Sequence, residues 1–501
     1  MAGSPRNERA RAVTGGAERA PFQAGASADA EPRRPFTSIP GPRPMPVAGT
    51  FGNFFSFMRD PIAYLRRLSA TYGPVASMSA GDPRGMIFAF GPDHNQRIMG
   101  QPELFLNAGI THLGPRGTAN RRVSYGLLNM NGDEHRLHRK LVSPFFQPSR
   151  LGGHHATVVR RTEELLGSWA PGRTLDLARA MGELTKRLSA ELVLGLDRAA
   201  DADRVNDAIE DWRTKNFSPF ARAVPSRLPG APHARMLRSA ERLERTMLEL
   251  IDRRRPSITA ETPDVLALLI RLHDEDPALM GQDLLCGQAV FIYGASYETT
   301  ANALTWSSFL ISQHPEVMAR LWEEGREVLG GAPPTTETLK RLRYLDLVIQ
   351  ESLRLLGPAV YSVRVTAAPT ALGGYEIPKG APVAFSHYIT HHMPELYPDP
   401  ESFRPERWHT TPPAPSRYLP FGSGAHACLG GALATMTMKI ALSMVWQRFR
   451  LTVVPHSRID RQVRITLYPK RGLPVALARQ DREFHRSKTP VRGNIREMVN
   501  L

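Results

Sequence analysis

Residues 281–312 carry Leu284, Leu285, Val290, Ile292, Leu304, Trp306, Phe309 and Leu310, which together fall on most faces of one helical period. A long helix that is apolar nearly all round is a central, buried one, so the rest of the chain has to be wrapped about it. The chain has 501 residues, 42% hydrophobic and 22% charged, which is ample for a large core. Segments 160–169, 177–194 and 235–253 show apolar residues at three- and four-residue spacing, and 134–356 reads as mainly helical. A further helix is expected at 61–71, with short strands at 75–78 and 86–90.

After Gly357 the texture changes to short β-like pieces, 371–375 and 382–385, separated by Gly and Pro. Residues 393–420 are Pro-rich and read as irregular coil. A last amphipathic helix follows at 429–449, with strands at 451–454, 463–467 and 475–477. Residues 1–35 are rich in Ala, Gly, Arg and Pro without an apolar period and are expected to be disordered. The globular part is expected over 36–480, and 481–501 as a polar, basic, frayed tail.

Two cysteines exclude a disulfide scaffold and a four-cysteine zinc site. No run approaches the ~18 apolar residues of a membrane span, and the first thirty residues lack the apolar core of a secretory signal. A cytoplasmic protein is expected. Lys and Arg total 64 against 48 Asp and Glu, a net charge of +16, and only eight of the cations are lysine. A coding bias toward arginine on solvated helix faces accounts for part of this. A field of that sign also steers acidic partners. Dense Lys/Arg runs with interleaved aromatics are missing, so no nucleic-acid partner is expected.

The most informative segment is Phe421-Gly422-Ser423-Gly424-Ala425-His426-Ala427-Cys428-Leu429-Gly430-Gly431. Cys286, in an apolar helical run, reads as a small buried hydrophobe. Cys428 differs, because the surrounding glycines let backbone N–H groups approach one sulfur, and the helix beginning beyond it adds a positive dipole end. Both favour a thiolate.

This loop resembles that of the cytochrome P-450 family, F-x-x-G-x-[R/H]-x-C-x-G, with Phe421, Gly424, His426, Cys428 and Gly430 in every fixed place. His426 in place of arginine is similar to many soluble bacterial members. Glu351 and Arg354 share a helix face at i and i+3 and resemble the family's E-x-x-R. Residues 403–408, Phe-Arg-Pro-Glu-Arg-Trp, resemble its F-x-P-E-R-[F/W] element. Alone, each would read as surface charge. The resemblance implies a buried Glu351–Arg354–Arg407 network behind the cysteine loop.

The polar break in the buried helix, Ala295-Ser296-Tyr297-Glu298-Thr299-Thr300, resembles the family's [A/G]-G-x-[D/E]-T-[T/S]. A carboxylate in an apolar helix is costly unless it works. The match implies that Glu298 and Thr299 are the acid and hydroxyl that deliver protons during oxygen activation. Ser296 departs from the usual glycine there. His135 and Arg139 resemble the H-x-x-x-R pair that meets the haem propionates, and Arg364 stands where an arginine does the same; a solvated basic face is the plain alternative.

The resemblance implies a single, mainly α domain with a small β region. Haem b (iron protoporphyrin) would lie between the central helix and the cysteine loop, with Cys428 as axial ligand. The implied activity is insertion of one oxygen atom from dioxygen into a lipophilic small molecule, by hydroxylation or epoxidation. With too few cysteines for a cluster, electrons would come from a separate ferredoxin or flavodoxin. Segments 105–128, 204–235, 291–298 and 359–363 would form the substrate pocket, with Phe291, Ile292, Ala295, Val360 and Tyr361 in its lining. Three other readings stay open: a peroxide-using or substrate-coupling haem-thiolate enzyme, a haem-based sensor or carrier, and a basic nucleic-acid binder.

Overall fold

A computed structural model describes residues 33–109, 111–218, 220–221, 224–487 and 489–501. Of the segment expected to be disordered, residues 1–32 lie outside the described residues. The central helix runs over Gln282–Gln313 without interruption, and Trp306, Phe309, Leu310 and Ile311 are wholly buried. It stops because Pro315 opens the next helix, Pro315–Leu329, and disfavours the helical region for His314, which takes φ −124° and ψ 88°. Helices Leu177–Leu194, Val265–Glu275, Arg343–Leu356 and Gly431–Arg448 pack around it. No helix among the described residues is long and apolar enough to cross a membrane.

One close approach fixes how the central helix meets the chain ahead of it. A Cβ on Gly287 would stand 2.0 Å from the Tyr125 carbonyl oxygen and 2.5 Å from that of Arg122. Beside it, Gln288 Oε1 accepts the Leu127 amide at 3.1 Å. Glycine is therefore required by distance rather than by backbone angle.

The strands are β1 (Val75–Ser77), β2 (Ile87–Ala89), β3 (Phe105–Asn107), β4 (Thr174–Asp176), β5 (Ser362–Thr366), β6 (Thr370–Leu372), β7 (Tyr375–Ile377), β8 (Pro382–Phe385), β9 (Phe449–Val453), β10 (Arg461–Val463), β11 (Leu467–Pro469) and β12 (Pro474–Arg479). The largest sheet has the order β1-β2-β8-β5-β3, with β2 and β8 parallel and the other pairs antiparallel. Its register sets Arg364 opposite Asn107 on one side and Val383 on the other.

Two expectations are corrected. Residues 463–467 are not one strand: Val463 pairs with Leu467, and the chain reverses between them to make the β10–β11 hairpin. The alternating pattern reads alike on both sides of a turn that contains neither Gly nor Pro. The 481–501 segment is not a frayed tail. Val491, Ile495, Met498 and Val499 are buried, Asn500 N–H donates to Glu401 O at 2.9 Å, and Glu497 pairs with Arg461 at 2.8 Å. The few apolar residues there recur at helical spacing, a signal that the polar composition hid.

Gly287→Ala is expected to cost about 1–3 kcal/mol through the clash with two carbonyls. Gly294→Ala on the same helix, where a Cβ meets nothing within 4 Å, should leave the melting temperature unchanged or raise it. Thermal unfolding of both variants checks the contrast.

Candidate active site

The cysteine loop is shaped by two left-handed glycines, Gly422 at φ +66° and Gly424 at φ +71°. A side chain at Gly424 would also stand 2.5 Å from the Met99 carbonyl, so the loop presses on helix Pro92–Gly100. Cys428 N–H donates to Phe421 O at 2.7 Å and closes the loop. The Phe421 ring lies against Gly431, the first residue of helix Gly431–Arg448, and Gly430 is its cap.

The Cys428 thiol is accessible yet densely surrounded by protein. Burial pushes its pKa up, and the Gly430 N–H and the Arg139 charge pull it down without cancelling that rise. The expected preference for a thiolate is thus corrected for the protein's own groups, because desolvation outweighs the Gly430 N–H and the Arg139 charge.

Basic groups gather around this sulfur. His135 and Arg139 sit one turn apart on helix Gly132–Val142, and the His135 ring lies 4.0 Å from that of His426. Burial lowers the pKa of His135, and burial with neighbouring positive charge takes His426 down to about 3, so the imidazoles are neutral. Arg364, on β5, is 9% exposed, and burial lowers it to about 10. It donates to Val363 O at 3.1 Å and lies over the Phe385 ring. Burial lowers Arg139 as well. Neither guanidinium forms an ion pair with a carboxylate among the described residues. A cation taken out of water without an anion is costly, so these two call for carboxylates from elsewhere. One thiol, two unpaired guanidiniums and two neutral imidazoles suit iron protoporphyrin, which brings an iron for sulfur and two propionates for the guanidiniums.

On the central helix, Ala295 and Thr299 are exposed in the middle of an otherwise buried element and share one face. Thr299 Oγ1 donates to Ala295 O at 3.2 Å, and Ser296 Oγ to Tyr293 O at 2.7 Å. Glu298 turns aside. Its Oε1 accepts the Thr466 hydroxyl at 2.6 Å, and its Oε2 pairs with Arg213 of helix Ala199–Asn216. Arg213 also binds Glu210 at 2.6 Å, and Glu210 accepts the Tyr297 hydroxyl at 2.6 Å. Burial pulls the Arg213 pKa down, but the charges of Glu298 and Glu210 overcome it and hold the guanidinium protonated. Glu298 and Thr299 therefore make no hydrogen bond with each other. Arg213, Glu210 and Thr466 belong to no motif, and nothing in the sequence alone singled them out.

Behind the loop, Glu351 is wholly buried between two arginines. Arg354 forks onto it at 2.8 and 3.0 Å, and Arg407 Nε reaches Oε1 at 2.8 Å. The remaining guanidinium N–H groups donate to carbonyls: Arg354 to His391, Pro400 and Ser402, Arg407 to Pro398, Asp399 and Ser402. The pair of arginines thus staples the coil before the cysteine loop to helix Arg343–Leu356.

Of the residues expected to line a pocket, all but Ala295 belong to one apolar core or pack against it. Phe291 packs against Gly126, Ile292 and Val360 are buried, and the Tyr361 ring meets Phe57 at 5.2 Å.

Unpaired positive charge open to two carboxylates, reaching a loop with an accessible thiol, is what a haem-thiolate protein demands of its fold. The family model described as Cytochrome P450 matches residues 39–473, and the chain belongs to that family, as a haem monooxygenase and an oxidoreductase. Cyclooctat-9-en-7-ol 5-monooxygenase of Streptomyces melanosporofaciens is 33% identical over 439 residues, 86% of this chain and 93% of that protein. Pentalenene oxygenase of Streptomyces avermitilis is 28% identical, over 88% of this chain and 97% of its own length. In fold, the chain is similar to retinoic acid bound cyanobacterial CYP120A1, with a TM-score of 0.76 at 24% identity over 90% of this chain and 100% of that one.

Glu351→Ala strands two buried guanidiniums and is expected to cost roughly 3–5 kcal/mol in denaturant unfolding. A loss below ~1 kcal/mol, the range of an exposed pair, would contradict the network.

Proposed function

We propose that Cys428 is the axial ligand of haem b, and that the enzyme inserts one oxygen atom from dioxygen into a lipophilic small molecule. The observation that carries this is the pair of unpaired guanidiniums, Arg139, whose charge reaches the accessible Cys428 thiol, and Arg364, whose charge reaches His426 of the same loop. Iron protoporphyrin bound there supplies the reductive activation of dioxygen. The protein's own groups do the rest. Gly430 N–H and the Arg139 charge stabilise negative charge on the Cys428 sulfur. Arg139, Arg364, His135 and His426 orient the propionates. Glu351, Arg354 and Arg407 hold the coil that leads into the loop.

Thr299 stands on the open face of the central helix, one turn from Ala295, where its hydroxyl can donate a proton. Glu298 is the carboxyl group that accompanies it, aimed by Arg213 and Thr466. Substrate is taken up among Phe291, Ile292, Ala295, Val360 and Tyr361, an apolar set. The relatives' names specify a cyclooctatenol and pentalenene, which favours a hydrocarbon-rich terpenoid as substrate. Electrons come from a separate acidic ferredoxin or flavodoxin, to which the +16 charge is complementary.

Cys428→Ser is expected to abolish the thiolate-type absorption band of the reduced, carbon-monoxide-bound protein; retention of that band would remove Cys428 as ligand. Thr299→Ala should keep haem and substrate binding but divert most reducing equivalents to hydrogen peroxide. Product formed in proportion to reductant in that variant would take Thr299 out of proton delivery.

A further inference from the structure

The last segment of the chain lies past residue 473, where the family match ends, and it is built into the fold. Residues 489–501 run beside 456–461. His456 N–H donates to Thr489 Oγ1 at 3.0 Å, Arg492 N–H to Ser457 O at 3.2 Å, and Ile459 N–H back to Arg492 O at 2.8 Å. Gly493 is left-handed at φ +105°, and a Cβ there would stand 2.2 Å from the Ile459 carbonyl oxygen, so glycine is what lets the two segments meet. Asn494 then exchanges two hydrogen bonds with them. Its amide donates to Asp460 Oδ1 at 3.1 Å, and its Oδ1 accepts the Arg461 amide at 2.7 Å.

The turn that follows, Asn494–Glu497, is anchored by apolar burial. Ile495 and Met498 are wholly buried and Val491 and Val499 nearly so, and all four join the core that contains Phe403, Tyr388 and Ile389. Its polar groups reach three separate parts of the chain. Glu497 pairs with Arg461 of β10 at 2.8 Å, and Arg461, its side chain 2% exposed, also pairs with Asp60 at 2.6 Å. Arg66, on helix Pro61–Tyr72, donates to the Glu497 carbonyl. Asn500 N–H donates to Glu401 O at 2.9 Å, and its Nδ2 to Ser402 Oγ at 3.2 Å.

Ser402 is the meeting point. Arg354 and Arg407 both donate to its carbonyl, at 3.3 and 3.2 Å, while its hydroxyl takes Asn500. The coil before the cysteine loop is thus gripped twice, by the buried arginines and by the end of the chain. It contains a residue that needs such a grip. Asp399 sits at φ +52°, a left-handed conformation that a residue with a side chain keeps only where its surroundings over-determine it.

We propose that residues 489–501 are a clasp on the coil 398–404, which holds the approach to the cysteine loop in place and slows the loss of haem. The clasp stands on the contacts above; only its effect on haem rests on the assignment of Cys428.

Amide hydrogen exchange of the full-length, haem-loaded protein reads the clasp directly, because the Ser402 and Arg404 amides are tied to Asp399 O and to Glu351. Ending the chain at Thr489 should speed exchange over 398–404 by about tenfold or more and leave the central helix unchanged. Asn500→Ala keeps the buried apolar side chains and removes one side-chain hydrogen bond, so it should speed the same amides by about threefold. Arg496→Ala, exposed on the same turn, should exchange as the parent does. Release of haem to a scavenging apoprotein should quicken in the same order among these variants. Exchange unchanged over 398–404 in the shortened chain overturns the clasp. So does a rise of equal size in the central helix, because the segment is then a general part of the core. Faster exchange with haem release unaltered overturns the role in haem retention. A parent that lacks the thiolate-type band, with the exchange contrast intact, overturns the assignment of Cys428 and supports the clasp.

Discussion

Arg364 is buried and Arg139 half-buried, their charges reach His426 and Cys428 of one loop, and neither forms an ion pair with a carboxylate among the described residues. An interior cation without an anion is a debt that some other group has to settle. Much of the structure can be understood as holding that imbalance in place. β5 pins Arg364 between β3 and β8, helix Gly132–Val142 carries Arg139 one turn after His135, and the left-handed glycines set the sulfur among them. Burial keeps both imidazoles neutral, so they add hydrogen-bonding capacity without further positive charge.

The same physics runs with opposite outcome at Glu351. There the buried charge is matched inside the chain: one carboxylate meets two guanidiniums, and their spare N–H groups end on five different carbonyls. A fully satisfied network can be buried where a half-satisfied one cannot. The matched network ties the scaffold together, and the unmatched cluster is where we propose that the cofactor binds. Glu298 is an intermediate case, with both oxygens occupied by Thr466 and Arg213, so its carboxylate is tied to the hairpin and to helix Ala199–Asn216 as well as to its own helix.

What could be read from the sequence follows from how local each signal is. The central helix was legible because its apolar run is long, and its bounds fall within one residue of those expected. The cysteine loop was legible because its requirements lie within eleven consecutive residues. Glu351 with Arg354 was visible as a helical pair, whereas Arg407 needed the family pattern, since the contact spans 56 positions. Arg213 and Thr466 were invisible: each meets Glu298 across a distance in sequence that no periodicity encodes. The reversal at 463–467 was missed because a turn without Gly or Pro leaves no mark. The burial of Ile495 and Met498 was masked by the charged residues around them. The thiol pKa was misjudged for a different reason, because a helix terminus can be read from sequence and the depth of burial around it cannot.

The most direct test of this account is a binding titration of the haem-free protein with iron protoporphyrin and with its dimethyl ester, which keeps the iron but lacks the carboxylates. The account predicts that the diacid binds far more tightly, and that replacing Arg364 with leucine removes most of the difference. Equal affinity for the two porphyrins would contradict it.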